Sequence, residues 1–154
     1  MQSTPDIIQS DIVKQQQDVY WQPLTDGVPA QPVKLLVITT PLTVNSAEEA
    51  QLQKIIQACK LDATDYYIYT LEHATAWHQL RDRLQPQAVL LFGVLPQQLG
   101  ISAMFGLYHP NRFDDAIWIP SISIAEMEKH PDTKKQLWVD GLKPVFIDKT
   151  IGNI

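Results

Sequence analysis

The side chains best able to do chemistry are few and scattered: one cysteine, Cys59, four histidines, His73, His78, His109 and His130, and an acidic pair, Asp114-Asp115. One thiol cannot build a disulfide, a zinc ribbon or a cysteine-bound iron-sulfur cluster within one chain. Cys59 follows Leu52, Ile55 and Ile56 at helical spacing. That places it on an apolar face and predicts an inert, buried thiol, because a reactive cysteine needs exposure and nearby positive charge. No histidine has a carboxylate or second ligand at metal-site spacing, so solvent-facing or capping roles are expected. Asp114-Asp115 reads as a solvated loop, since no further oxygen ligands cluster near it. No glycine-rich phosphate loop and no Ser-His-Asp arrangement is present. Neither a metal nor a cofactor is expected.

The elements around these residues alternate strand and helix. Residues 33–38, VKLLVI, form a continuous apolar run of strand length, ended by the turn residues TTPLT. Ser46-Ala47-Glu48-Glu49 has the form of a capping box and opens the helix that carries Cys59. YYIYTL (66–71) predicts a second strand, and Trp77, Leu80 and Leu84 mark one face of a second helix that Pro86 closes. AVLLF (88–92) predicts a third strand running into Gly93, where a glycine lets the backbone turn sharply or approach a ligand. After an irregular stretch, 94–115, AIWIP (116–120) predicts a fourth strand. Ser123 to Glu126 forms a second capping box, and Pro131 suits the first turn of a last helix containing Leu137, Trp138 and Leu142. On that helix Lys134 and Lys135 are expected on the solvated side. Strand and helix in alternation favour a parallel sheet covered on both faces.

Composition limits what such a domain does. At 154 residues, with 45% apolar and 19% charged residues, the chain suits one globular domain. A net charge of −5 opposes general affinity for phosphate backbones, so weak or no direct nucleic-acid binding is expected. No apolar run is long enough for a membrane span, and the N-terminus lacks a signal peptide's basic start and apolar stretch, so a cytoplasmic location is expected. Residues 1–32 are glutamine- and proline-rich without a sustained period, and predict an arm preceding a domain over 33–154. Within it, Ile12-Val13 and Tyr20-Trp21 are apolar enough to pack on the domain or on a partner.

Two spacings carry a resemblance. Pro131, Lys134, Trp138 and Asp140 follow at steps of three, four and two, and Pro86 leads through an apolar strand to Gly93 in seven. With Tyr67-Ile68-Tyr69-Thr70, these make residues 34–143 similar to the uracil-DNA glycosylases, most nearly their small bacterial branch. The resemblance implies an α/β three-layer sandwich around a mostly parallel four-stranded sheet. Such enzymes flip a base into a pocket, activate water with a carboxylate or amide after the first strand, and stabilise the leaving uracil anion with a histidine.

The pocket positions are degenerate. Where the family has a Gly-Glu-Ala-Pro-Gly motif, this chain has Ile38-Thr39-Thr40-Pro41-Leu42. The family's His-Pro-Ser becomes Ile119-Pro120-Ser121. A threonine cannot act as general base at neutral pH, and an isoleucine cannot donate to an anion. His109-Pro110-Asn111 is a competing placement for the second motif, but Pro110 lies 21 residues before Pro131 against 11 for Pro120, which favours the later site.

The loss suits a second resemblance. The psi subunits of the bacterial DNA polymerase III clamp loader share a glycosylase-like fold without its site. Here Tyr20-Trp21 resembles their arm, Lys34 to Ile38 their first strand, and Leu137-Trp138 their late helix. This implies a non-catalytic adaptor between the clamp loader and chi, the subunit that contacts single-strand binding protein, with Ile12, Val13, Tyr20 and Trp21 binding a protein partner of a replication or repair complex. The alternative is a divergent glycosylase-type enzyme using Thr39, Thr40, Ser121 and His109.

Overall fold

A computed structural model describes residues 28–42 and 47–149. Ile12, Val13, Tyr20, Trp21 and the capping serine Ser46 lie outside the described residues. Strand β1 is Leu35–Thr39, helix α1 Ala47–Ala58, β2 Tyr66–Thr70, α2 Trp77–Leu84 and β3 Ala88–Phe92. A 3-10 turn at Pro96–Leu99 leads to β4, Asn111–Phe113, and β5, Ala116–Ser121. Helices α3, Ile124–Lys129, and α4, Pro131–Gln136, run into a π-helical segment, Leu137–Ile147.

The sheet order is β2-β1-β3-β5-β4, parallel except for β4, which pairs antiparallel with β5. The expected four strands become five. β4 is only three residues of mixed polarity, too short to show a period, and it forms because the tight Phe113 to Ala116 turn folds it back on β5. Both turn residues, Asp114 and Asp115, hold left-handed backbone at φ 50° and 60°, as this two-residue hairpin requires.

Alternation along the strands divides the core between two faces. Leu35, Val37, Leu90, Phe92 and Ile119 pack against α1, α3 and the π-helical segment. Leu36, Ile38, Val89, Leu91 and Trp118 pack against α2 and the loop after β3. The strands are therefore apolar on both sides, as buried parallel strands must be. Val28, within the stretch read as an arm, is buried in the second face, and the Arg83 guanidinium donates to its carbonyl at 3.0 Å. Among the described residues no helix is long and apolar enough to cross a membrane.

The last helix departs from a regular α-helix. Pro131 opens α4 as expected, but the backbone widens from Leu137 for 11 residues. Pro144 lies inside this stretch and has no N–H to donate, which breaks the α-helical ladder, and the Asp148 N–H bonds five residues back to Lys143 at 2.9 Å. Leu137 and Leu142 are buried as expected and Trp138 half-buried. Lys134 does not simply face solvent: its ammonium donates to Gln51 Oε1 of α1 at 3.1 Å.

Candidate functional site

Strand β1 has β2 on one side and β3 on the other, so the chain reverses its direction of sheet growth there. In open α/β sheets ligands collect in the crevice beyond the strand carboxyl ends at such a reversal. A crevice of about 730 Å³ lies at that edge, floored by Thr40 after β1, Gly93 after β3, and Pro120 and Ser121 of β5. Backbone bonds draw these ends together: Thr40 N–H donates to Phe92 O at 3.2 Å, and Gly93 N–H to Ser121 O at 3.0 Å.

Gly93 is required at this corner. Its φ is +72°, and a Cβ there would lie 2.8 Å from the Ser123 Cβ. Ser123 in turn caps α3, accepting from the Glu126 N–H at 3.2 Å. The return bond of a capping box is replaced by an ion pair, because Glu126 Oε2 engages Lys129 at 3.3 Å. Gly93 therefore serves close backbone packing of strand against helix.

Of the six positions that the glycosylase resemblance would put in a pocket, Thr40, Pro120 and Ser121 line the crevice. Thr39, Pro41 and Ile119 do not. Thr39 is fully buried with its hydroxyl donating to Thr40 O at 2.9 Å, Pro41 points to solvent, and Ile119 is core on the α1 face. The Ser121 hydroxyl donates to Ile122 O at 3.2 Å. The hydroxyl protons at the Thr39 and Ser121 positions are thus committed to local carbonyls.

The competing His109-Pro110-Asn111 site lies outside the crevice. His109 is exposed, while Asn111 acts as a staple, donating to Gly106 O at 3.0 Å, His109 O at 2.7 Å and Trp118 O at 3.2 Å and accepting from Gly106 N–H at 2.9 Å. Among the described lining residues Glu126 is the only ionisable one. General acid-base chemistry needs a proton acceptor and a proton donor aimed at one reacting centre. The described lining offers no such pair.

The lip of the crevice is apolar. Leu95, Met104 and Leu107 line it, and they are three of the four large hydrophobic side chains exposed among the described residues, Met104 at 93% and Leu95 at 63%. Sequence reasoning missed all three, within a stretch read as irregular. Their signal was an apolar cluster, Met104-Phe105-Gly106-Leu107, without helical or strand period, which neither buries itself in an element nor suits a solvated loop. Phe105 anchors the lip by stacking on Trp118 at 5.4 Å. The arrangement can hold apolar groups in a shaped, adaptable groove, with methionine supplying the adaptability.

No model of a known protein family matches the chain, and no curated protein is similar to it in sequence.

Two other sequence candidates resolve into structural roles. Cys59 is buried, and loss of hydration pushes its thiol up to about 12. In the native protein it should resist iodoacetamide at pH 8 for hours and react promptly once urea unfolds the chain; rapid native labelling, read by intact mass, would contradict this burial.

Asp114 is not an idle loop acid. Its Oδ2 accepts from the Arg81 guanidinium at 2.9 Å and from the Trp77 indole at 2.7 Å, pinning the β4–β5 turn to α2. The Arg81 bond first, then the Trp77 bond, lowers the carboxyl below its ordinary 3.8. A carboxyl lowered on folding contributes stability that is complete above its unfolded value and lost as pH falls through the lowered folded one. The melting temperature should therefore fall below about pH 4 more steeply in the wild type than in Asp114→Asn, and parallel acid limbs in calorimetry would refute the linkage. The effect is small because both partners are partly exposed and salt-screened.

Proposed function

We propose that this protein is a non-catalytic adaptor subunit of the bacterial replication machinery, psi-like in kind and built on a uracil-DNA glycosylase-like frame. One observation carries the reading. At the carboxyl edge of the sheet, where a glycosylase would hold its water-activating group and its histidine, the described lining presents an apolar lip formed by Leu95, Met104 and Leu107. Apolar groups exposed around a groove favour a protein partner, since burying them removes surface from water and needs no reacting centre. The acidic charge of −5 agrees with a role that does not grip DNA directly.

In this reading the part of the N-terminal stretch that precedes the buried Val28, with Ile12, Val13, Tyr20 and Trp21, engages the clamp loader, and the crevice receives a second subunit, chi-like in kind. The test has two arms. Full-length protein incubated with uracil-containing single-stranded DNA should yield no abasic sites above a heat-killed control. Titrated calorimetrically into the clamp-loader complex of the same organism, it should bind saturably, and lose that binding when Ile12, Val13, Tyr20 and Trp21 are changed to serine. Turnover of the DNA, or no heat with the complex, would overturn the proposal.

A further inference from the structure

We infer that a second cleft, between α1 and the π-helical segment, docks an acidic segment of a partner protein and seats one of that segment's apolar side chains. The cleft has a volume of about 280 Å³ and is walled by Ile55, Leu137, Trp138 and Leu142, with Lys54 and Lys134 also lining it. That volume lies below the range of drug-sized ligand pockets and suits a single large side chain. Trp138 is half-buried here, with one part packed on the core and the rest facing the cleft, as interface tryptophans often are.

Charge selects the partner. The chain carries 17 acidic residues against 12 lysines and arginines, yet the cleft lining holds two lysines and no carboxylate. The ion pairs among the described residues are Arg81 with Asp82 and Asp114, and Lys129 with Glu126, so neither Lys54 nor Lys134 is neutralised by one. Lys134 is held in place by its bond to Gln51 Oε1 at 3.1 Å, which uses one of its ammonium protons and leaves the charge to attract an incoming acceptor. A paired cationic rim around an apolar floor attracts carboxylates flanking a Leu or Phe and repels basic segments. This cleft lies apart from the carboxyl-edge crevice and shares none of its lining residues. The two sites therefore stand or fall separately.

The test titrates isotope-labelled full-length protein with the peptide acetyl-Asp-Asp-Leu-Phe-Asp-Asp-amide and follows proton-nitrogen spectra. The Trp138 indole signal and the Ile55 and Leu142 amides should shift saturably, while Met104 and Leu107 stay still. Lys54→Glu combined with Lys134→Glu should weaken the peptide at least tenfold, and circular dichroism checks that this variant folds. Wild-type affinity should also fall as salt is raised. An absent shift, equal affinity in the double variant, or an equal response to the peptide with Lys for Asp would overturn the inference. So would a homodimer in sedimentation that the double variant dissociates, since a second copy would then occupy the cleft.

Discussion

Replacing Trp118 with alanine should lower the unfolding free energy by about 3–5 kcal/mol, and should also weaken the partner binding proposed for a crevice that the indole never touches. Trp118 is fully buried in β5, its ring 4.6 Å from Trp77, 5.4 Å from Phe105 and 5.9 Å from Phe113, and its indole N–H donates to Phe113 O at 3.0 Å. Truncation removes the largest fully buried side chain and takes one donor from the partly buried Phe113 carbonyl. Phe105, which lines the crevice, would lose the ring it stacks on, so the Met104 to Leu107 lip would loosen. Urea unfolding reads the effect as a lower midpoint at unchanged slope. A loss below about 1 kcal/mol would mean that the aromatic cluster does not hold the fold as described.

Gly93→Ala should cost about 2–4 kcal/mol, the sum of a left-handed backbone penalty and an overpacked contact. The φ of +72° disfavours any side chain, and the added methyl would meet the Ser123 Cβ at 2.8 Å and its Cα at 3.1 Å. Neither contact can yield without moving the cap of α3. Gly106→Ala is the matched control, because a Cβ there meets only Asn111 Oδ1, at 3.7 Å. Thermal unfolding should show a large drop for the first variant and a change within about 0.5 kcal/mol for the second. Equal losses would place the effect in glycine replacement generally and not in this corner.

The strands that position the crevice were legible because burial on both faces leaves an unmistakable pattern. AVLLF at 88–92 matches β3 residue for residue, and AIWIP at 116–120 falls within β5. Trp77, Leu80 and Leu84 are all buried on α2, as their spacing implied, and Ser123 and Pro131 open helices as their types suggest. The misses have different causes. β4, three residues long, is too short to show a period although its partner β5 follows at once, whereas the Asp114 anchor depends on partners distant in sequence: Asp114 meets Arg81 and Trp77, 33 and 37 positions away. No local period encodes such meetings. The π-helical widening had one local signal, Pro144, whose missing N–H cannot continue an α-helical ladder, whereas the buried leucines fit a helix of either pitch over so short a run. Among the pocket positions, Thr40, Pro120 and Ser121 could be placed by counting to the ends of strands. Ile119 and Thr39 could not, since one step along a strand turns a side chain from an edge crevice into the core.

The central claim of the proposal is that this crevice would grip a protein and perform no chemistry. Calorimetric titration of the chi-like subunit proposed as partner into the protein, wild type against Met104→Asp with Leu107→Asp, measures it most directly. Two charges placed in an apolar contact should weaken binding at least about 100-fold, while far-ultraviolet circular dichroism and the melting temperature stay near wild type because both side chains are exposed. Undiminished affinity in the double variant would contradict the account.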